Sequence, residues 1–174
     1  GAIALGTLAA LFAYKKSSQK RELPPFSDFA DALAPGLLLA QAMGRWGNWF
    51  NGELFGRPLD TPWALSIPEY LRPHGFESYS TFHPTFLYES IWNLGLFFLL
   101  YFGIAPNAKR YPGMTSCAYL AGYSLGRVLI EPLRVDSIAN YMNIPIPLLV
   151  SAGTMGIALC VMLRIYLKNV GNKS

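Results

Sequence analysis

The sequence predicts an all-α polytopic transmembrane helix bundle, with four full spans, the end of a fifth, and an extracytoplasmic loop region. Three observations predict it. The chain is 52% hydrophobic and only 14% charged, where a soluble domain carries about 25% charged residues. The apolar residues gather into long runs nearly free of charge, at 1–14, 29–43, 90–108, 114–127 and 144–163. The loops between those runs alternate in charge. Together these give one membrane-embedded domain over 1–174, with spans near 1–14 (partial), 28–46, 84–105, 113–134 and 145–166, and an outer loop at 47–82.

A helix needs about 20 apolar residues to cross roughly 30 Å of hydrocarbon. The last run meets that outright, and the middle runs meet it once their Tyr, Trp and Asn are tolerated. The first run is too short. It has neither a charged leading region nor an Ala-x-Ala cleavage site, so it is not read as a signal peptide. It is read as the tail of a helix begun upstream, and with no initiator Met the chain is expected to be a C-terminal fragment. In the second run, Pro35-Gly36 is expected to kink the helix. His83-Pro84 opens the third, since proline suits a first turn where its missing N–H is not needed. Pro112-Gly113 closes the loop before the fourth, and Pro145 and Pro147 stand at the entry to the fifth. Trp46, Trp49, Tyr88, Trp92, Tyr101, Tyr111, Tyr141 and Tyr166 crowd the predicted boundaries, as interfacial aromatics do.

Orientation follows from the bases. Lys15, Lys16, Lys20 and Arg21 follow the first run, Lys109 and Arg110 the third, and Arg164, Lys168 and Lys173 the last. The alternate connections are mixed or acidic. Positive loops mark the cytoplasmic side, so the segments around 45–82 and 136–147 are assigned outside and the C-terminus inside. The net charge of +4 is small and confined to loops, which argues against nucleic acid as a partner. Cys117 and Cys160 sit singly in apolar runs without metal-ligand spacing and are read as small packed hydrophobes; neither a disulfide nor a zinc site is supported.

The chemistry concentrates at one depth. Tyr123, Arg127, Glu131 and Arg134 are spaced by four, four and three, which puts them on one face of the predicted fourth helix. Arg127 lies two turns from the outer end, about 10 Å along the axis. A charge there costs several kcal/mol and needs a partner or a water-filled pocket. An internal Arg127–Glu131 ion pair that only holds the bundle together satisfies the same need. Arg45 ends the second span, while His83, Tyr88 and Glu89 begin the third, where Thr85, Glu89 and Asn93 share a face. Polar residues from three segments thus meet in the outer half, while stretches such as 94–102 and 156–163 stay apolar. A transporter would need a polar path through the whole thickness; this pattern suggests a pocket open to the outer leaflet. Guanidinium groups suit phosphate. Gly44, Gly47, Gly52 and Gly56 either let backbone amides approach an anion or form a tight re-entry loop, and Asn48 and Asn51 add amide groups.

The stretches GRWGNWFNGELFGRP at 44–58, HPTFLYES at 83–90 and GYSLGRVLIEPLRVD at 122–136 resemble the prolipoprotein diacylglyceryl transferase family, in family order and at family-like separations. The resemblance extends over essentially the whole chain. It implies transfer of the diacylglyceryl group of phosphatidylglycerol to the thiol of the lipobox cysteine in a bacterial preprolipoprotein signal peptide. Glycerol 1-phosphate leaves, with no metal or organic cofactor, at the outer leaflet of the cytoplasmic membrane. By motif, Arg45, Asn48, Glu53 and Gly56 correspond to the signature, Tyr123, Arg127 and Glu131 to the essential later segment, and His83, Tyr88 and Glu89 to the His-Pro box. Arg45 and Arg127 are expected to stabilise the leaving phosphate, and Glu131 and Glu53 to orient the arginines and the glycerol hydroxyl rather than act as bases; Asn51 and Arg134 complete the expected substrate-binding set. The reacting sulfur belongs to the substrate, not to Cys117 or Cys160. The family's His-Gly-Gly motif would fall just before residue 1, where this chain opens with GAIALG. His83 could act in proton transfer or simply cap its helix, and His74 is expected to be solvated.

Overall fold

The computed structural model describes residues 25–108, 110–135, 140–141 and 144–171. The partial span expected at 1–14, and the bases Lys15, Lys16, Lys20, Arg21, Lys109 and Lys173, lie outside the described residues. Helix α1 (Phe26–Asn51) starts after Pro25 and carries Asp28 in its first turn, where the helix dipole favours an acid. It ends at Gly52, whose left-handed φ of 65° lets its N–H reach the carbonyls of Asn48 and Trp49. The predicted span ended at 46, so the helix is five residues longer there, and Gly44, Gly47, Asn48 and Asn51 are helical rather than loop residues. Each helical glycine costs about 1 kcal/mol relative to alanine. Aromatic packing offsets this: Trp46, Trp49 and Phe50 form a ladder that leans on Phe86 of the next helix. The helix continues unbroken through Pro35.

Helix α2 (Thr85–Ala108) is capped by Pro84. Its turns widen between Leu99 and Ile104 to a five-residue repeat. Pro106 explains the widening: its ring would clash with the carbonyl of Phe102 in a regular α-turn, and it has no N–H to donate. Asn107 Nδ2 donates to the Gly103 carbonyl at 2.8 Å. Helix α3 (Met114–Ile130) begins after Gly113, at φ 90°. Its cap comes from another helix. Asp31 of α1 accepts from the Gly113 N–H (2.8 Å), the Ser116 N–H (2.7 Å) and the Ser116 hydroxyl (2.6 Å). Helix α4 (Ile146–Gly171) holds Pro147 in its first turn.

The fourth span was expected to run to 134. Instead α3 stops at Ile130, because Pro132 cannot donate to the Val128 carbonyl, and Glu131–Leu133 forms a tighter 3₁₀ turn. Arg134 then adopts an extended conformation, so it leaves the helical face shared by Tyr123 and Arg127.

Helix α3 is the centre of the bundle, packed against α1, α2 and α4. Leu38, Leu100 and Ala118 form its buried core, flanked by Leu96, Phe97, Ile104, Tyr119 and Met162. Two glycines set how closely α2 approaches. A Cβ at Gly122 would lie 2.7 Å from Leu96 Cδ1, and one at Gly126 would overlap the Trp92 indole. The outward faces are apolar and uncovered: Ala158 is the single buried residue of the 26 in α4. Only 17% of the most apolar window of α2, and 6% of that of α4, is buried, whereas the core helix of a soluble protein is mostly covered. Both helices are long and apolar enough to cross a membrane. Helix α1 has the length but not the hydropathy, and α3 has only 17 helical residues. Cys117 is half-buried, but Cys160 is exposed on α4 and so is not the packed hydrophobe expected; the helix turns it away from α3.

The segment between α1 and α2 has its own small core of Phe55, Ile67 and Phe82, with Leu65 and Phe76 against it. Strands β1 (Leu65–Ser66) and β2 (Thr81–Phe82) pair antiparallel, Leu65 opposite Phe82. Arg72 braces the tip, donating from Nε to Ile67 O at 3.0 Å and from Nη1 to Glu77 O at 2.9 Å. The backbone N–H groups of Glu77 itself and of Gly75 hold the Glu77 carboxyl below its usual range, with a smaller pull from solvent-exposed His74. Strands β3 (Asn140–Tyr141) and β4 (Ile144–Pro145) form a second short antiparallel pair before α4.

The cross-helix cap yields a test. Asp31→Ala removes three bonds that tie α1 to the start of α3, and is expected to lower stability by about 1–2 kcal/mol. The thermal midpoint of the detergent-solubilised protein should fall; an unchanged midpoint would mean the cap contributes nothing.

Candidate functional site

Glu89, one turn into α2, is the meeting point of three arginines. Its carboxylate lies 2.7 Å from Arg127 Nη1, 2.5 Å from Arg45 Nε and 3.7 Å from Arg134 Nη1. The Arg127 contact is an aligned hydrogen bond. The Arg45 contact is close but poorly aligned, so it is a charge pair in which Glu89 Oε2 accepts no proper hydrogen bond. Arg127 Nη2 also donates to Glu131 Oε2 at 2.5 Å, and Arg45 Nη2 donates weakly to the Tyr123 hydroxyl at 3.4 Å. Glu89 and Glu131 are 5% and 2% exposed. Among the described residues, three guanidinium groups face the carboxylates of Glu89 and Glu131. Burying that many charges is tolerable only because each finds an opposite partner.

The backbone explains how the arginines arrive at one level. Arg45 comes from the last two turns of α1, Arg127 from the last turn of α3, and Arg134 from beyond the Pro132 break. A three-way seam fixes this last one. Residues 56–58 lie as an extended piece between the approach to α2 and the exit from α3. Gly56 N donates to His83 O (2.9 Å), His83 N to Arg57 O (3.0 Å) and Arg57 N to Leu133 O (2.8 Å), and Gly56 bridges Arg134. Only glycine fits at 56, since a Cβ there would lie 2.7 Å from both His83 Cβ and the Leu133 carbonyl. The turn into this seam includes Leu54 at a positive φ of 58°, unfavourable for a side-chain-bearing residue. Its carbonyl accepts a 2.5 Å bond from the Thr85 hydroxyl.

The structure brings together Arg45, Tyr123, Arg127, Glu131, Glu89 and Arg134. It sets others apart. Asn51 and Glu53 are exposed and contact each other (3.1 Å), with no hydrogen bond or ion pair to the arginines among the described residues. Glu53 therefore does not orient the arginines as expected, because the left-handed turn at Gly52 directs it elsewhere. Asn48 is half-buried on α1. His83 is half-buried and faces the Tyr88 hydroxyl, 3.3 Å from its Nδ1. The amide cradle expected from Gly44 and Gly47 is absent, since helical turns already occupy their backbone groups.

The open basic pocket expected from the sequence is also not the arrangement found. The space between Glu89, Trp92, Tyr123 and Arg127 measures about 10 Å³, room for one water. The carboxylates fill the place where an anion would meet the guanidiniums. Sequence reasoning overlooked the role of Trp92, whose indole N–H donates to Gly122 O at 3.0 Å. The signal was present as Gly122 and Gly126, a small-x-x-x-small spacing that allows close helix approach. It also overlooked Ser90, whose hydroxyl donates to Ala42 O at 2.9 Å and accepts from Trp46 Nε1 at 3.2 Å, locking α1 to α2 beside the cluster.

A family model for prolipoprotein diacylglyceryl transferase matches residues 1–166. The chain belongs to the prolipoprotein diacylglyceryl transferase family. Relatives named phosphatidylglycerol–prolipoprotein diacylglyceryl transferase include one from Synechocystis, 46% identical over 88% of this chain and 56% of its own length. Another, from Trichormus variabilis, is 51% identical over 79% of this chain and 49% of its own. A third, from Streptomyces coelicolor, is 46% identical over 83% of this chain and 44% of its own. The chain thus spans about half the length of the curated relatives it matches. This membrane-enzyme family membership accords with the apolar, uncovered faces of α2 and α4.

The hub geometry predicts unequal costs for two glutamates. Glu89→Ala strips the counter-charge from three arginines and is expected to destabilise by about 3–5 kcal/mol. Glu131→Ala removes one of the two carboxylates on Arg127, which keeps Glu89, and should cost less. Thermal midpoints of the two variants measure the difference; equal midpoints would mean that Glu89 is not the hub.

Proposed function

We propose that this chain supplies the phosphate-handling part of an enzyme of lipoprotein maturation. The enzyme transfers the diacylglyceryl group of phosphatidylglycerol to the lipobox cysteine of a preprolipoprotein signal peptide and releases glycerol 1-phosphate. To that enzyme this chain contributes four full spans in the bacterial cytoplasmic membrane. Residues 45–82 face the outer side and the C-terminus the cytoplasm. The observation that carries this reading is the convergence of Arg45, Arg127 and Arg134 on Glu89, in a chain of this family.

The chemistry asks for guanidinium groups gathered at one place. Phosphatidylglycerol presents a phosphodiester with one negative charge. The substrate thiolate attacks the glyceryl carbon, a C–S bond forms, and the C–O bond to phosphorus breaks. The electron pair moves onto the departing oxygen, so the phosphate gains a second negative charge. Preorganised guanidinium groups at that oxygen lower the barrier, typically the largest contribution in such reactions. Arg45 is the better placed to meet the lipid: its pairing with Glu89 is misaligned and its side chain is 19% exposed, the most open of the three. Glu131 and Tyr123 orient Arg127 and Arg45, and Arg134 adds charge. The positive field also lowers the pKa of an approaching thiol, which must ionise to attack. Asn48, Asn51, Glu53, His83 and Tyr88 are assigned to the glycerol head group and peptide, with Gly56 holding the backbone seam.

One observation favours a second reading. The carboxylates engage both terminal nitrogens of Arg127 and leave about 10 Å³ beside it, as in an ion-pair cluster that only fastens the bundle. Substitution separates the two. In the full-length protein, Arg45→Ala is expected to reduce diacylglyceryl transfer to a lipobox peptide by about a hundredfold or more, with membrane insertion and thermal midpoint little changed. Arg127→Lys should fail to restore transfer, because lysine cannot bridge two partners as a fork. Transfer that survives Arg45→Ala would leave the fastening role as the better account.

A further inference from the structure

Beside the charge cluster, α2 carries a feature with no part in the chemistry above. Tyr88, Ile91, Trp92, Gly95, Leu96 and Leu99 line an almost wholly apolar trough of about 500 Å³. All six lie on one helix. Gly95 leaves the middle of the trough open, since it has no side chain and even a Cβ built there would meet nothing within 4 Å. Ile91 and Leu99, 60% and 55% exposed, form its banks. We propose that this trough holds one acyl chain of the anionic lipid whose phosphate meets the arginines, with Gly95 as the residue that sets how thick a chain fits. The proposal rests on the function proposed above for its head group, and three observations carry it.

The first is length. From Tyr88 to Leu99 the helix rises about 16 Å, close to half of the roughly 30 Å hydrocarbon thickness. The trough is therefore one leaflet deep. The second is where it begins. Trp92 lines the trough and also the small space occupied by Glu89 and Arg127, so the apolar floor starts where the charged cluster ends. The third is chemistry. The guanidinium groups of Arg45 and Arg127 converge on Glu89 beside the trough, and guanidinium suits the phosphate of an anionic head group. Trp92 is held firmly between the two regions by its bond to Gly122 O and its contact with Gly126. It keeps the chain out of the ionic site while giving it a flat wall.

Trp92 also reports on the occupant. In the full-length protein in nanodiscs, lipids brominated on the acyl chain quench a tryptophan they touch. Brominated phosphatidylglycerol is expected to quench more strongly than brominated phosphatidylcholine. That difference should vanish in Trp92→Phe, which removes the reporter, and in Gly95→Leu, which fills the trough while leaving the thermal midpoint intact. In the transfer assay, Gly95→Leu should lower turnover of dipalmitoyl phosphatidylglycerol by about tenfold or more and spare the dioctanoyl lipid. Equal quenching by the two head groups, or an unchanged difference in Gly95→Leu, would overturn the proposal. So would a fall in midpoint with both lipids affected alike, which would mean that a protein helix packs in the trough. Preferential quenching in a protein that transfers from neither lipid would end the proposed function and leave the trough's occupant standing.

Discussion

A carboxylate at 5% exposure holding three guanidinium groups is the constraint on which this structure depends. Charges placed away from water destabilise a fold unless they are compensated, and in a low-dielectric setting one missing partner costs far more than one weak bond. Arg45, Arg127 and Arg134 come from α1, α3 and the turn after α3, so compensation at Glu89 requires those segments to end at one depth beside α2. The surrounding features serve that requirement. Gly126 brings α2 near enough to α3 for Glu89 to reach Arg127, and Ser90 bonds the carbonyl of Ala42 to fix α1 on the other flank.

The backbone around the cluster is held from both ends. Near the charges, residues 56–58 stitch the entry of α2 to the exit of α3, through a glycine with no space for a methyl group. At the opposite end, Asp31 reaches across from α1 to satisfy the first N–H groups of α3. Helix α3 is therefore pinned at its start by a side chain of α1 and at its finish by a loop. A helix of 17 residues fixed at both ends has little freedom to slide, which keeps Arg127 in register with Glu89. Within the bundle, apolar contacts such as Leu38 with Leu100 and Ala118 supply cohesion, but they do not specify depth.

The distribution of polarity also has a direction. Charge sits at the α2 entry, and an apolar trough descends from it for about the depth of one leaflet. A lipid has the same profile, an anionic head above hydrocarbon. That correspondence is more specific than hydropathy, because it ties a set of guanidinium groups, a length and a missing side chain at Gly95 to one molecule.

The sequence by itself determined the helical, apolar character of the chain, the order of its elements and the identity of most charged residues that meet. Helical spacing made Tyr123, Arg127 and Glu131 one face, and proline and glycine marked the starts of α2, α3 and α4 within a residue or two. Such signals are local, arising from the geometry of one helix or the missing N–H of one proline. Tertiary structure alone decided the rest. Glu89 became a hub because helices distant in sequence converge on it, and Arg134 joined by leaving its helix at Pro132. Gly44 and Gly47 stayed helical because Trp46, Trp49 and Phe50 found Phe86 to pack against. Glu53 turned away, the expected pocket closed on its own carboxylates, and Asp31 became a cap for α3. No periodicity encodes these outcomes, because each depends on which distant group occupies the space a side chain must fill.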